Sequence, residues 1–205
     1  IYDELINEFK QNNKLLRYFD IPLQHINDRI LKRMHRNTNK KQIVDLINKI
    51  RTEVEGAVIR TSLITGFPGE TQDEHEELMK FLQEYKLDRV GIFKYSREED
   101  TPAYNLPEQI DEEVKEERHN ELMELQLGIS YENNLAKIGN TYDVLIEEKD
   151  VENIWVGRTY MDSIDIDGCV YVTSDENLEL GNIYKVKIND ALEYDLMGDD
   201  INELV

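Results

Sequence analysis

The sequence has 205 residues, of which 44 are acidic and 24 basic, so its formal net charge is −20. Its hydrophobic content of 40% excludes a disordered acidic tail, and no apolar run approaches the ~18 residues that a membrane-spanning helix needs. The single cysteine, Cys169, excludes an internal disulfide and a thiolate metal site and favours a reducing, cytoplasmic setting, while the negative charge favours a basic partner over nucleic acid.

The first 139 residues alternate helical patterns with short apolar runs. Periodicity and capping residues predict five helices, the second and fifth capped by Asp28 and Asp111, at residues 2–13, 28–34, 40–54, 71–85 and 111–136. Strands are predicted at 18–23, 58–65 and 89–95. This alternation is typical of parallel strands joined by helical crossovers, in either part of a (β/α) barrel or an open sheet. Because the chain opens at Ile1 inside a helical pattern, we expect it to be a piece of a longer protein.

The sequence changes from helical patterns to short strand patterns at residue 140, and we predict a domain boundary there. The last 66 residues hold 17 acidic and 4 basic side chains and read as short strands separated by turn residues such as Asp167-Gly168 and Gly181-Asn182. Strands are predicted at 142–148, 154–160, 168–174 and 183–188, with a fifth at 191–197. Five short strands in so few residues indicate a small OB-like barrel.

The most informative segment runs from Arg60 to Thr71, where a β-branched strand enters Gly-Phe-Pro-Gly and then a helix. Functional sites of (β/α) units lie at the carboxyl ends of strands, and Gly66 and Gly69 would let a ligand approach the backbone closely. Thr71 and Glu74 form a predicted capping box. Alternatively, the glycines serve only the geometry of the turn.

Alternation along this strand places Arg60, Ser62 and Ile64 on one face. Arg60 is therefore expected either in an ion pair or in a wet interior. The first strand ends in Gln24 and His25, near the same predicted rim. His25 is either a general acid or base or, on balance, a structural histidine.

Two charge patterns remain. Residues 29–41 carry six basic groups and no acid, which indicates either a receptor for an anionic cofactor or a solvated helix face that balances neighbouring acids. Residues 140–205 are rich in acidic groups. They include aromatic side chains, but they lack the basic groove through which OB-like barrels often bind RNA. A basic protein would suit this surface better than RNA, unless the charge serves only solubility.

Several motifs resemble the radical S-adenosylmethionine methylthiotransferases. They are residues 18–25 (Tyr-Phe-Asp-Ile-Pro-Leu-Gln-His), 31–36 (Leu-Lys-Arg-Met-His-Arg), 63–71 (Leu-Ile-Thr-Gly-Phe-Pro-Gly-Glu-Thr) and 88–96 (Asp-Arg-Val-Gly-Ile-Phe-Lys-Tyr-Ser). The resemblance implies an α/β fold: the C-terminal portion of a radical-SAM (β/α) partial TIM barrel over 1–139, followed by an OB-like TRAM domain over 140–205. Residues 165–172 and 193–198 are most similar to the branch that modifies an aspartate of a small-subunit ribosomal protein (S-twelve).

The resemblance also implies a chemistry. A 4Fe-4S cluster would cleave S-adenosylmethionine to a radical that removes a hydrogen from the β-carbon of the aspartate, and a second cluster would serve sulfur insertion. Ile64, Gly66 and Phe67 match the motif that packs against the adenine, and Gln24, Arg60 and Ser62 are candidates for polar contacts. The cluster-binding Cys-x-x-x-Cys-x-x-Cys motif is absent, so we expect this chain to be inactive alone. The alternatives are a tRNA methylthiotransferase and a non-catalytic interaction module.

Overall fold

The computed structural model describes residues 3–204, and their side chains as far as Ile201. Residue 2, where the first helix was predicted to begin, lies outside the described residues. The chain divides into two compact units, residues 1–126 and 127–205. The predicted domain boundary after residue 139 lies farther along the chain than this division and stays a prediction.

The first unit alternates helices with the strands of a parallel sheet. Its helices are α1 (Asp3–Gln11), α2 (Asp28–Arg33), α3 (Lys40–Glu53), α4 (Gln72–Tyr85) and the beginning of α5 (Glu112–Leu135). Its strands are β1 (Tyr18–Asp20), β2 (Val58–Thr65) and β3 (Arg89–Lys94), which pair in the order β1-β2-β3. The predicted α/β architecture with parallel strands is therefore confirmed, whereas the larger barrel stays a prediction.

The central strand β2 has one fully buried face, as the alternation of its sequence predicts. The face made by Ile59, Thr61, Leu63 and Thr65 is inaccessible to solvent, whereas that of Arg60, Ser62 and Ile64 is partly exposed. Buried side chains of α3 and α4 complete the core of this unit at helical spacing: Ile43, Ile47, Ile50, Leu78, Phe81 and Leu82. The half-exposed face of β2 is therefore the face available to a ligand.

Two predictions near the first strand need correction. The strand ends at Asp20 rather than at residue 23, because Pro22 has no amide hydrogen for the ladder. The N-cap of α2 is Asn27, whose side chain accepts the amide hydrogens of Arg29 and Ile30, whereas Asp28 is the first helical residue. The predicted capping box of α4, made by Thr71 and Glu74, is confirmed.

The second unit contains a closed five-stranded barrel, which confirms the predicted OB-like domain. Its strands are β4 (Thr141–Val151), β5 (Ile154–Arg158), β6 (Val170–Thr173), β7 (Ile183–Ala191) and β8 (Leu196–Leu204), in the order β4-β5-β6-β8-β7. The fifth strand was wrongly predicted at 191–197. Leu192 donates its amide hydrogen to the Asp195 carbonyl at 2.9 Å in the turn between β7 and β8, so the last strand begins later.

The barrel interior is filled by apolar side chains that alternate along the strands, among them Val144, Ile146, Trp155, Val172, Val186 and Ile188. Among the described residues, no helix has the length and apolar character needed to cross a bilayer.

Candidate functional site

A cavity of about 690 Å³ lies in the first unit at the carboxyl ends of the three strands. Parallel strands place their carboxyl ends at one edge of the sheet, which is where (β/α) folds bind ligands. Most of its accessible wall area is apolar, as in small-molecule sites, although charged side chains such as Arg33, Arg36, Lys94 and Glu98 also line it. Among the residues that line it are Gln24, Ser62, Ile64, Phe67, Phe93 and Leu106.

Four of the six predicted cofactor-binding residues meet in this cavity: Gln24, Ser62, Ile64 and Phe67. Gln24 takes a left-handed backbone conformation, with φ +70°, and rejoins the sheet beside Leu63. Its amide hydrogen reaches the Ser62 carbonyl at 2.9 Å, and its carbonyl accepts the Ile64 amide hydrogen at 2.8 Å. These bonds hold the end of the first strand segment against β2, so the side chains of both line one wall.

The apolar wall is built around an aromatic pair. Phe67 and Tyr95 make an edge-to-face contact with ring centroids 5.2 Å apart and pack on Ile30 of α2. Ile64 packs against this cluster. Phe93, by contrast, is 55% exposed at the cavity, which is unusual for so large an apolar side chain.

Arg60 and Gly66 are not among the residues that line this cavity. Arg60 shares the face of Ser62 but forms an ion pair with Asp20, with Nη1 and Oδ2 2.7 Å apart. The structure thus provides the ion pair that was one of the two expectations for this arginine. Its contact with a cofactor stays a prediction.

Gly66 and Gly69 both have positive φ angles, +72° and +79°. A Cβ atom at Gly66 would lie 2.5 Å from Cγ of Lys115, and one at Gly69 would lie 2.7 Å from Oε2 of Glu108. The close approach that these glycines allow is therefore filled by side chains of this chain. Their conformation supports the alternative that they serve turn geometry.

Glu70 was not singled out from the sequence, although it organises this turn. Its side chain is fully buried, and Oε2 accepts the amide hydrogens of Gly66 at 2.9 Å and Phe67 at 3.4 Å. Oε1 accepts from Thr65 Oγ1 at 3.3 Å and from Arg118 Nη1 at 3.0 Å. Burial raises the pKa of Glu70, and Arg118 and the two amide groups oppose that rise. An acidic residue directly after a Gly-Phe-Pro-Gly turn is the sequence signal that could have identified it.

His25 is completely buried and is not one of the residues that line the cavity. Its Nδ1 accepts the amide hydrogen of Asn27 at 3.0 Å, and its Nε2 lies 3.7 Å from Oε2 of Glu70. Burial lowers the pKa of His25 to about 4, so the ring is neutral at pH 7. This environment matches the structural histidine that the sequence favoured.

The basic residues of 29–41 mostly pair with acids, which supports the expectation of a charge-balanced face. Arg29 makes two hydrogen bonds to the Glu74 carboxylate at 2.7 and 2.5 Å, and Lys40 contacts Glu77 at 2.7 Å. Arg33 lies 3.5 Å from Glu108 and also lines the cavity. Reception of an anionic cofactor by this segment stays a prediction.

The cavity fits the adenosyl part of S-adenosylmethionine, since it combines apolar walls for a flat ring with the polar side chains of Gln24 and Ser62. An iron–sulfur cluster does not fit the described residues, among which no group of three or more His, Cys, Asp or Glu side chains could hold a metal. Cys169 is half-buried, and burial raises the pKa of its thiol to about 11, so it is not a ready thiolate.

Comparisons with known proteins match two separate segments of the chain to two family models. Residues 1–82 match the Radical SAM superfamily and residues 138–201 match the TRAM domain. The ribosomal protein uS12 methylthiotransferase RimO of Clostridioides difficile (strain 630) is 52% identical over 204 residues, which are 100% of this chain and 46% of that protein. The RimO of Thermoanaerobacter sp. (strain X514) is 49% identical over 199 residues, which are 97% of this chain and 45% of that protein.

The chain thus spans about half the length of the curated relatives that it matches. The two domain matches follow one another along the chain, and the relatives align across nearly all of it at about 50% identity. On these findings, the chain combines a match to the Radical SAM superfamily with a match to the TRAM domain and is similar to RimO proteins over nearly its whole length.

Proposed function

We propose that this chain is part of a methylthiotransferase that adds a methylthio group to the β-carbon of an aspartate in the small-subunit ribosomal protein uS12. It would supply the C-terminal portion of a partial TIM barrel, over residues 1–139, and the TRAM domain, over 140–205. The observation that carries the proposal is the convergence of Gln24, Ser62, Ile64 and Phe67 on one cavity, in a chain similar to RimO proteins over its whole length.

In this proposal the chain binds and orients S-adenosylmethionine. Ile64 and Phe67 would pack on the adenine, because they form the apolar wall at the end of β2. Gln24 and Ser62 would make polar contacts, and the wall would exclude water from the cofactor. Arg60, through its ion pair with Asp20, and Gly66, through its turn, would support this wall from outside the cavity.

When bound, S-adenosylmethionine would supply the methyl group and the radical precursor. The iron–sulfur clusters that the family uses, two in this proposal, would be held by cysteines outside this chain, since its only cysteine is Cys169. The chain alone would then bind the cofactor without turning it over. Such an enzyme would work in the cytoplasm, where the ribosome is assembled.

The substrate would dock on the acidic TRAM domain. Many of its acids are exposed on the barrel surface, including Glu148, Asp150, Asp165, Asp175, Glu176 and Asp199. A negatively charged surface attracts a positively charged partner and repels polyanions such as tRNA. Ribosomal proteins are basic, so this charge favours a protein substrate over tRNA.

The proposal is tested in cells that lack their own uS12 methylthiotransferase. We expect the intact gene product that contains this chain to increase the mass of uS12 by one methylthio group at a single aspartate. Methylthio groups on tRNA bases and an unmodified uS12 would favour the tRNA enzyme instead. Neither product, with uS12 still bound, would favour a non-catalytic interaction module.

A further inference from the structure

A buried ion pair lies behind the cavity wall, at a place that the proposed chemistry does not use. Arg118 on α5 is 6% exposed and donates from Nη1 both to the Glu70 carboxylate and to the Glu70 carbonyl, each at 3.0 Å. These bonds join residues that are 48 positions apart in the chain. They fix both the side chain and the backbone of Glu70.

The carboxylate of Glu70, held in this way, also holds the backbone turn that follows β2. Its other oxygen holds the amide hydrogens of Gly66 and Phe67, the two residues at which the chain leaves β2. Phe67 is one of the aromatic residues of the cavity wall, and these two hydrogen bonds hold its backbone in place. Lys115, one helical turn before Arg118, packs its Cγ against Gly66 and closes the turn from the other side.

Two buried histidines enclose the remaining sides of the carboxylate. Nε2 of His25 lies 3.7 Å from Oε2, and Nδ1 of His75 lies 4.0 Å from Oε1. Neither nitrogen makes a hydrogen bond, and burial lowers the pKa of both rings. The nearest counter-charge of Glu70 is therefore Arg118, in surroundings that strengthen the pair.

We propose that Glu70 and Arg118 are positioning residues of the cofactor site, which hold the Gly66–Phe67 turn so that Phe67 stays in the cavity wall. The inference rests on the proposed function, because it assumes that the cavity binds the adenosyl group. Neither residue touches the cavity, so both act through Phe67. A buried pair of this kind is sensitive to loss of either partner, since the other is left unsatisfied.

The test measures binding of S-adenosylhomocysteine to the intact gene product by calorimetry. We expect Glu70→Gln and Arg118→Met each to weaken binding about tenfold, since a small displacement of a positioning contact is costly. Hydrogen exchange of the peptide that contains residues 63–71 should accelerate in both. Arg118→Lys, which keeps the charge and one donor, should restore part of the affinity.

Leu122→Ala is the matched control, because Leu122 is fully buried one turn farther along α5 and does not line the cavity. It should lower the thermal midpoint while changing the affinity less than about twofold. If Arg118→Met fails to fold, the double variant Glu70→Gln/Arg118→Met leaves no unpaired charge and should fold with weakened binding.

The outcomes separate the two proposals. No binding by the unaltered protein would overturn the cofactor site itself. If the unaltered protein binds normally, and Glu70→Gln and the double variant bind equally well, only the positioning role is overturned. A loss of affinity that Leu122→Ala reproduces at an equal loss of stability would do the same.

Discussion

His25 makes the stability of the first unit depend on pH. Its folded pKa, about 4, is below the ordinary value of 6.5, because burial disfavours the charged ring. Between these two values the unfolded chain binds more protons than the folded one, so stability is fully present above pH 6.5 and is lost as the pH falls toward 4. We expect urea unfolding to register a loss of about 3 kcal/mol from this residue over that window.

Two variants isolate the contribution of His25. His25→Gln keeps an acceptor for the Asn27 amide hydrogen but cannot titrate, so its unfolding free energy should fall less steeply with acid. His35→Asn replaces an exposed histidine and should leave the slope unchanged. Equal slopes in all three proteins would contradict the assignment. His75, whose pKa burial also lowers, would supply the residual slope.

At the scale of elements, Gly157 in β5 shows how closely the barrel strands approach. A Cβ at this position would lie 2.3 Å from the Leu145 carbonyl oxygen of β4, which is backbone and cannot move aside. We expect Gly157→Ala to destabilise the protein by about 2–4 kcal/mol in chemical denaturation. Gly128→Ala in α5 is the control, because a Cβ atom at this position would meet no neighbouring side chain within 4 Å. This substitution should stabilise the protein by about 0.5–1 kcal/mol. A neutral Gly157→Ala would contradict the close packing.

The same scale explains which elements could be predicted from sequence. The bounds of β2, its alternating faces and the Thr71 capping box are local patterns, and all three were predicted correctly. The last strand was misplaced, because its pairing with β6 and β7 depends on partners elsewhere in the barrel. Arg118 escaped notice for that reason too: nothing near it in sequence indicates Glu70. Of the four cavity residues, Ile64 and Phe67 were predicted from a family motif, whereas strand alternation and the predicted rim also indicated Ser62 and Gln24. Their contacts with a cofactor stay predictions.

At the scale of the whole chain, charge is unevenly distributed, and this predicts where a basic partner binds. We expect uS12 to bind the 205-residue chain with an affinity that falls as salt rises, because exposed charges are screened. Glu148→Gln/Asp175→Asn/Glu176→Gln neutralises three exposed acids of the barrel unit and should weaken binding about 3- to 10-fold at low salt. Fluorescence anisotropy with labelled uS12 measures both effects.

The control makes the same charge change in the first unit. Glu84→Gln/Glu113→Gln/Glu117→Gln also removes three exposed acids, so it alters the net charge of −20 by the same amount. If attraction came from net charge alone, both triple variants would lose affinity equally, and the TRAM domain would have no special role. A loss confined to the barrel variant is what we expect if uS12 docks there, since screened charges act over about 10 Å or less.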